Sequence, residues 1–491
     1  MESYSIDLAL FFLLLVCASL CLVDMLSRYL LDLALLTAPV AASLSAVDTF
    51  YPSGLSDVSW ITNASLGSYG GIYEAPADEP SPPPSPYGVY DYCTMPHPRV
   101  EEYKLPAVVE NGSVEARLVY LEYLQRHQRR TPYNILPGGE LKEFRCDNIL
   151  PYLYAGPASG QVPLQIYAKT YTDSSNPFAM ESVQGTCQYP QLTVGGLLDG
   201  YQHGRDIRAL YGDKLGLLPS YPDERKVWFR SSSSPLTQDS AGGVLRGIWP
   251  FHYGAIPLHQ QAASVDTVNG GYSCPAQSTV LSAIESSDKW KEHMSATQPL
   301  RDTLATMFDA NTNNWMSTFD HFADNFQARL CNGYELPCSR SDRSQCVTQA
   351  QADEVFRAGD WEWNYYWREN ENATLYIQLV EGLFIKEILG RIEAVANGKS
   401  DLVYSHNFVH DGDIGPVLGA LGIEQLRWPA MASNIAFEIW ETSNAQFYAR
   451  VLYSGHLIRT VHGTLDWIPV SSLVDILTPF VPTDIVSLCK A

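Results

Sequence analysis

Three short segments of the chain carry side chains that could bind and attack an anionic group. They are the stretch RHQRR at residues 126–130, Arg230 with four serines after it, and His410-Asp411. The guanidinium fork of arginine matches phosphate oxygens bidentately, and a histidine beside it can serve as a further donor or as a nucleophile. The three segments together predict a site for a ligand that carries a phosphate group.

Each of these segments follows a predicted strand. The strands are expected over Arg117–Gln125, Lys226–Phe229 and Asp401–Tyr404, where β-branched and aromatic residues are frequent. In open α/β sheets, ligands bind outside the carboxyl ends of the strands. The three segments should therefore converge on one site.

Other periodic segments predict the elements around this site. Helices are expected over Pro190–Tyr211, capped by Thr193, and over Thr374–Ala396, and strands over Ile435–Trp440 and Gln446–Tyr453. Strands that alternate with helices are typical of an α/β fold. We expect a mixed sheet flanked by helices, with a smaller and mostly helical cap region mainly between residues 251 and 395.

Composition excludes one class of partner. The 491 residues are 46% hydrophobic, and 54 acidic residues outnumber 32 basic ones, for a formal net charge of −22. The apolar content is that of a globular protein. Because an acidic surface repels polyphosphate, no nucleic-acid partner is expected, and nothing indicates the oligomeric state.

The first 114 residues differ from the rest. Two apolar stretches, Leu8–Val23 and Tyr29–Val47, predict a signal peptide or an uncleaved signal anchor within residues 1–46. Met25 approximates the true start in the signal-peptide interpretation, with cleavage near Ala42 to Ala46. Residues 47–114 are expected to be a proline-rich linker or N-terminal extension, without a packed domain from Gly70 to Pro106. The globular domain should span residues 115–491.

The cysteines and glycosylation sequons indicate export. Eight cysteines follow the leader, an even number, and those at 331, 338 and 346 suggest a local staple. Sequons occur at Asn63, Asn111 and Asn372. We expect a secreted, disulfide-bonded glycoprotein, or a membrane-anchored protein of the secretory pathway if the leader is retained.

At this point the chain resembles a known family. RHQRRTP is similar to the RHGxRxP motif of the histidine acid phosphatases, branch 2 of the histidine phosphatase superfamily. Residues 185–211, 227–250 and 409–423 resemble the family's later motifs, and residues 432–441 with 447–455 resemble its C-terminal strand pair. The likeness extends from about Glu115 to Cys489, and it implies a secreted, fungal-type acid phosphatase-like member of the family.

The resemblance implies a role for each motif residue. His127 would be the nucleophile that forms a phosphohistidine, and Asp411 would protonate the leaving alcohol. The phosphate oxygens would be held by Arg126, Arg130, Arg230 and His410. No metal and no cofactor is implied, and the expected activity is that of an acid phosphomonoesterase that acts on small phosphate monoesters.

Several alternatives stay open at this stage. Gln128 stands where the family motif has glycine, so the scaffold could instead be an inactive phosphate-binding or interaction protein. Asp413 is a second candidate for the proton donor. The aromatic run Trp361–Trp367 could pack in the core or line a substrate pocket. Because the chain is acidic, small or sugar-type monophosphates are favoured over inositol hexakisphosphate.

Overall fold

The computed structural model describes residues 93–490, except 145, 147–151, 155–163, 167–172, 174, 177–183 and 425. The predicted signal segment, most of the predicted linker and the sequon at Asn63 lie outside the described residues. The described residues belong to one compact unit, Ser53–Ala491.

The central sheet is mixed, as predicted. The strands among the described residues are β1 (Ala116–Arg126), β2 (Glu143–Phe144), β3 (Tyr152–Tyr154), β4 (Leu164–Ile166), β5 (Gln184–Gly185), β6 (Val227–Ser231), β7 (Tyr404–Val409), β8 (Asn434–Thr442), β9 (Phe447–Tyr453), β10 (His456–Leu457), β11 (Arg459–Thr460), β12 (Gly463–Thr464) and β13 (Ile468–Pro469). The main sheet has the order β10-β9-β8-β1-β7-β6, with β13 paired to β9. Strands β1, β7 and β6 are parallel, whereas β8 is antiparallel to β1 and β9 is antiparallel to β8.

Helices cover both faces of this sheet and form the cap region. In the described part of the chain they are α1 (Ala107–Glu110), α2 (Val194–Ile207), α3 (Pro235–Ile248), α4 (Pro275–Glu285), α5 (Asp288–Phe308), α6 (Asn313–Met316), α7 (Asp320–Leu330), α8 (Gln349–Asn364), α9 (Ala373–Val380), α10 (Gly382–Ala396), α11 (Asp411–Leu421), α12 (Val470–Leu477) and α13 (Ile485–Leu488). Single π-helical turns extend α2 over Arg208–Lys214 and α8 over Tyr365–Glu369, and Val268–Gly270 and Thr478–Phe480 are short 3₁₀ turns. Among the described helices, α4 to α9 lie entirely in the predicted cap segment, and α10 lies in it except for its last residue.

Strand β1 shows how the two faces are built. Side chains alternate along a strand, so Tyr120 and Leu124 join a core that includes Ile388 of α10, whereas Leu121 and Tyr123 join a second core with α2 and α3. Strand β1 lies between β8 and β7 in the sheet, and its last residues are buried. The strand is thereby a fixed support for whatever follows Arg126.

The predicted helix Pro190–Tyr211 is confirmed as α2, and its cap is the one expected. The Thr193 hydroxyl accepts a hydrogen bond from the Gly196 N–H at 3.2 Å. The predicted helix Thr374–Ala396 is two helices, because the chain breaks at Glu381 between α9 and α10. A Cβ at Gly382 would lie 2.5 Å from Pro482 Cδ, so the break admits the C-terminal segment against the helix start.

Two other expectations change in detail. The strand expected at Asp401–Tyr404 begins only at Tyr404 and runs to Val409, because its pairing with β1 starts there. The linker expected to reach Pro106 is already packed from Cys93, since Cys93, Met95 and His97 are buried.

The even cysteine count corresponds to four disulfides among the described residues. They join Cys93 to Cys331, Cys146 to Cys187, Cys274 to Cys489, and Cys338 to Cys346. The expected local staple therefore joins only Cys338 and Cys346, while Cys331 ties the N-terminal segment to the end of α7. Their oxidised state fits an export route.

One described stretch is long and apolar enough to cross a membrane by length and composition. It is Val470–Leu488, with a mean hydropathy of 1.2 over 19 residues. In the structure it is α12, a 3₁₀ turn and α13, and Leu473 and Leu477 are buried in the core. Part of its apolar surface is therefore used in packing.

Candidate active site

The predicted convergence of strand ends is present. Arg126 is paired with Val409 on β7, so His127 and His410 leave the two strands side by side. The His127 N–H donates to the Val409 carbonyl at 3.1 Å, and the two imidazole centroids are 5.5 Å apart. The register of the sheet, rather than any loop, brings these two histidines together.

The imidazole of His127 is held in one orientation by a backbone carbonyl. Its Nδ1 lies 2.9 Å from the backbone carbonyl of Gln128, and because a carbonyl only accepts, Nδ1 carries the hydrogen. The lone pair is therefore on Nε2. Burial lowers the pKa of His127 well below its usual value, and the charges of Arg126 and Arg130 lower it further. Burial and the two guanidinium groups thus favour the neutral form of the imidazole.

Two arginines stand beside this imidazole. Arg126 is fully buried; one of its nitrogens lies 2.8 Å from Asp411 Oδ2, and another donates to the carbonyl of Pro429. Arg130 is also buried and donates to Asp324 and, at 3.0 Å, to its neighbour's carbonyl at Thr131. Each guanidinium is fixed by one carboxylate.

His410 and Asp411 stand at the start of α11. Burial lowers the pKa of His410 to about 4, so its imidazole is neutral above that pH, and its Nε2 lies 3.0 Å from Ser232 Oγ. Burial alone would raise the pKa of Asp411, but Arg126 and the Trp428 indole N–H, at 2.8 Å from Oδ2, outweigh burial and lower it. Asp411 is therefore a carboxylate held by a cation.

Asp413, the alternative proton donor, lies deeper. Its side chain is fully buried and accepts two backbone N–H groups, from His410 at 2.8 Å and from Asn269 at 2.5 Å. Burial raises its pKa to about 7. Asp411 keeps 22% of its side-chain surface exposed, so Asp411 is the more accessible of the two carboxyl groups.

The structure does not bring Arg230 to this group. It pairs with Asn407, two residues before Val409, so its Cα lies about 6–7 Å further back along the sheet. Its guanidinium donates to Glu387, to Asp266 at 2.8 Å and to Thr267 at 2.7 Å. Of the six predicted site residues, five are assembled and Arg230 is directed elsewhere.

The side chain of Gln128 packs against helix α2. Its side chain is fully buried against α2, where a Cβ added at Gly200 would lie 3.2 Å from Gln128 Oε1. The space that the amide needs is thus provided by a glycine on the neighbouring helix. The side chain consequently packs against α2.

Some residues of the site carried no sequence signal. Asp324 on α7 and Trp428 contact Arg130 and Asp411, and neither belongs to a motif considered above. The aromatic run is mostly core, since Trp361, Tyr365 and Trp367 are buried. Trp363 is half-buried and stacks on Trp428 at 5.5 Å, so it extends the wall that begins beside Asp411.

Comparison with known proteins shows the family to which the chain belongs. The family model described as histidine phosphatase superfamily (branch 2) matches residues 117–454. The chain belongs to this family. Counting factor 60 of Dictyostelium discoideum is 24% identical over 383 residues, which cover 74% of the chain and 84% of that protein. Human 2-phosphoxylose phosphatase 1 is 24% identical over 395 residues, which cover 78% of the chain and 79% of the human protein.

The fold of this histidine phosphatase has a counterpart among solved structures. The apo form of Hafnia alvei phytase is similar with a TM-score of 0.50 and 12% identity, over 76% of this chain and 98% of the phytase chain. At this identity the similarity shows the mixed-sheet fold with flanking helices. Together the family and its phosphatase relatives support phosphatase activity for the chain.

Proposed function

We propose that this histidine phosphatase is a secreted acid phosphomonoesterase that works through a phosphohistidine on His127. The observation that carries the proposal is the tautomer of His127. With Nδ1–H bound to the Gln128 carbonyl, the Nε2 lone pair is available beside two buried arginines. A neutral, oriented imidazole is the requirement for covalent catalysis by histidine.

In the first step, Nε2 of His127 attacks phosphorus and the bond from phosphorus to the ester oxygen breaks. Arg126, Arg130 and His410 would hold the non-bridging oxygens, and the two guanidinium groups would stabilise the charge that spreads over them. The leaving oxygen takes a proton from the carboxyl group of Asp411. The products are a phosphohistidine, a free alcohol and an Asp411 carboxylate.

Substrate binding itself would raise the pKa of Asp411, so that its carboxyl group carries the proton. In the empty enzyme Arg126 is paired to Asp411 at 2.8 Å and lowers its pKa. A phosphate dianion that competes for Arg126 weakens this pairing and adds a negative charge nearby, and both effects raise the pKa of Asp411. Asp411 would then be protonated in the complex at acid pH.

In the second step a water molecule attacks the phosphohistidine. Asp411 accepts the proton of that water, the bond from phosphorus to Nε2 breaks, and orthophosphate leaves with His127 restored. Turnover should fall as pH rises, because the substrate complex then loses the Asp411 proton. Burial lowers the pKa of both histidines, that of His410 to about 4, so His410 is neutral above that pH and the neutral form of His127 is favoured.

The proposed substrates are small or sugar-type phosphate monoesters. A chain with a net charge of −22 does not favour a hexakisphosphate. The stacked pair Trp363 and Trp428 lies on the Asp411 side, where the leaving alcohol must be, and an aromatic face suits a sugar ring. The name of the human relative, a 2-phosphoxylose phosphatase, points to the same class.

Secretory-pathway localisation completes the proposal. The four disulfides, and a phosphatase relative that acts on a sugar phosphate, fit an exported enzyme. The sequon at Asn111 lies in an exposed turn, which is accessible to glycosylation. The two N-terminal alternatives, a cleaved signal peptide or a retained anchor, would be separated by N-terminal sequencing of the mature protein.

The decisive experiment measures phosphate release from an aryl phosphate between pH 4 and 8 with the purified glycoprotein. We expect an acid optimum and an acid-labile phosphoenzyme on rapid quenching. His127→Ala should remove both, with a loss in kcat of at least about 10⁴-fold. The exposed His462→Ala is the matched control and should leave both unchanged.

Two outcomes would overturn the proposal. A wild-type protein that binds orthovanadate but releases no phosphate would favour the non-catalytic binding protein. Activity retained in His127→Ala would exclude His127 as the nucleophile. In a substrate panel, the fastest hydrolysis with inositol hexakisphosphate would reverse the substrate assignment.

A further inference from the structure

Trp428 contacts the proposed proton donor directly. Its indole N–H donates to Asp411 Oδ2 at 2.8 Å, and a guanidinium nitrogen of Arg126 lies 2.8 Å from the same oxygen. The other oxygen, Oδ1, accepts the backbone N–H of Gly412 at 3.0 Å. The two carboxylate oxygens of Asp411 therefore have different surroundings, and the indole is one of the groups that make them different.

The hydrogen bond from the indole affects which oxygen of Asp411 can carry a proton. An indole nitrogen only donates. In a neutral carboxyl group the carbonyl oxygen is the better acceptor, so a donor fixed on Oδ2 favours the proton on Oδ1. A substrate phosphate competes for the charged Arg126, whereas the uncharged indole has no such attraction to phosphate. Trp428 can thus keep Oδ2 as an acceptor when the substrate is bound.

The place of Trp428 is set by helix α8 of the cap region. The fully buried carboxylate of Asp360 accepts the backbone N–H of Trp428 at 3.0 Å and the Arg427 guanidinium at 2.8 Å. One residue earlier on α8, a Cβ at Gly359 would lie 3.0 Å from Trp428 Cε3. The glycine thus leaves the room that the indole ring occupies, and the ring is buried.

Trp363, also on α8, joins the indole of Trp428 to α11. The two rings stack with their centroids 5.5 Å apart and their planes 15° apart. A Cβ at Gly415 would lie 2.5 Å from Trp363 Cζ3, so Trp363 packs against the backbone of α11. Gly415 is four residues after Asp411, about one helical turn along. The two indoles therefore connect α8 to the helix that begins with the proton donor.

We propose that Trp428 is a positioning residue: its indole N–H holds Oδ2 of Asp411 and so keeps the transferable proton on Oδ1. Helix α8 supports this role, because Gly359 and Asp360 set the place of the indole. The inference rests on the proposed function of the same site. In the step itself, the O–H bond at Oδ1 breaks and the leaving oxygen takes the proton. The indole keeps its hydrogen and donates to the carboxylate that forms, where a charged acceptor makes the bond stronger.

The first test is Trp428→Phe, which keeps an aromatic ring and removes the N–H. Because the carboxylate loses a donor, the pH at which kcat for an alkyl phosphate falls should rise by about one unit. Asp411 becomes a weaker acid, so kcat for alkyl phosphates should fall about tenfold, while aryl phosphates stay within about threefold. Trp467→Phe is the matched control. Trp467 is half-buried, stacks on Tyr448 at 4.7 Å and should leave the pH profile unchanged.

The second test moves the indole without changing it. The methyl group of Gly359→Ala would crowd Trp428 Cε3, so kcat for alkyl phosphates should fall about threefold to tenfold, although alanine favours a helix. Gly390→Ala on α10, where a Cβ meets nothing within 4 Å, is the matched control. In the Trp428→Phe background, Gly359→Ala should add little, because the N–H is already absent. Additive losses would contradict a shared route through the indole.

A readout without turnover keeps this inference separate from the proposed function. The NMR signal of the Trp428 indole N–H, assigned by its loss in Trp428→Phe, should move upfield in Asp411→Asn, because a carboxylate accepts a stronger hydrogen bond than an amide. That shift in a wild-type protein without phosphatase activity would refute the proposed function and keep the contact. An unchanged signal, or an equal loss of kcat for alkyl and aryl phosphates in Trp428→Phe at an unchanged pH profile, would overturn the positioning role.

Discussion

Arg126 and Arg230 lie two strands apart in one sheet and are equally hidden from solvent, yet their surroundings differ. Arg126 meets one carboxylate, that of Asp411, and a backbone carbonyl. Arg230 meets two carboxylates and a hydroxyl, with Glu381 within electrostatic range. Near Arg126 cations balance the acids, whereas near Arg230 acids are in excess.

This difference shows that the balance of carboxylates and cations around a buried arginine, and not only the residue type, affects what the arginine can bind. Arg126 is paired with Asp411, whose side chain is 22% exposed, so a substrate phosphate can reach and compete for this ion pair. Arg126 can therefore exchange its carboxylate for a phosphate. Arg230 contacts the buried carboxylate of Asp266 and the partly exposed carboxylate of Glu387, and leaving Asp266 uncompensated is costly in a buried site.

The largest expected effect concerns two carboxyl groups, those of Asp411 and Asp413. Asp411→Asn should slow hydrolysis of alkyl phosphates about 10²–10⁴-fold, because their leaving oxygens need a proton. Activated aryl phosphates, which leave without protonation, should be affected far less. Asp413→Asn should slow both classes by the same factor, because it disturbs position and not proton transfer. The measurement is kcat for a series of leaving groups of graded pKa.

An equal loss of kcat for alkyl and aryl phosphates in Asp411→Asn would contradict the assignment of Asp411 as the proton donor. Asp411 would then be a positioning residue. If Asp413→Asn alone showed the dependence on the leaving group, Asp413 would be the proton donor.

A smaller effect concerns the pH dependence of the free energy of unfolding, through the buried carboxyl groups near Arg230. Burial raises the pKa of Glu381 well above its usual value, and that of Asp413 to about 7. Groups with a raised pKa bind more protons in the folded state, so their contribution is complete below the unfolded pKa and is lost as pH rises through the folded one. Glu381→Gln, which cannot ionise, should therefore stabilise the protein at pH 8 by about 1–3 kcal/mol.

The same substitution should have little effect at pH 5, where Glu381 is protonated in the folded state. Urea denaturation at both pH values would measure the difference, with the exposed Glu371→Gln as the control. Equal shifts at pH 5 and pH 8 would show that ionisation of Glu381 is not involved.

The smallest expected effect lies beside Arg126. The buried amide of Gln128 packs against Gly200 of α2, and an apolar side chain of similar length would fill the same space. Gln128→Met should change the free energy of unfolding by less than about 1.5 kcal/mol and leave kcat within about threefold. A large loss of activity would show that the amide, and not only its volume, is needed near His127.

Much of the fold was predictable because its signals are local. The apolar run of β1, the Thr193 cap of α2 and the paired strands β8 and β9 follow from period, capping and residue type. The grouping of His127 with His410 also followed, since parallel strands present their carboxyl ends at one edge. The break at Glu381 did not, because Pro482 and Phe480, about a hundred residues away, require it.

The sequence by itself determined which residue types reach the sheet edge: Arg126, His127, Arg130, His410 and Asp411. Only the tertiary structure decided their partners, because Asp324 for Arg130 and Trp428 for Asp411 come from distant elements without a motif. It also decided the place of Arg230. A strand end fixes where a side chain begins, but the long arginine side chain follows the nearest unpaired carboxylates, and those belong to segments that meet it only in the folded chain.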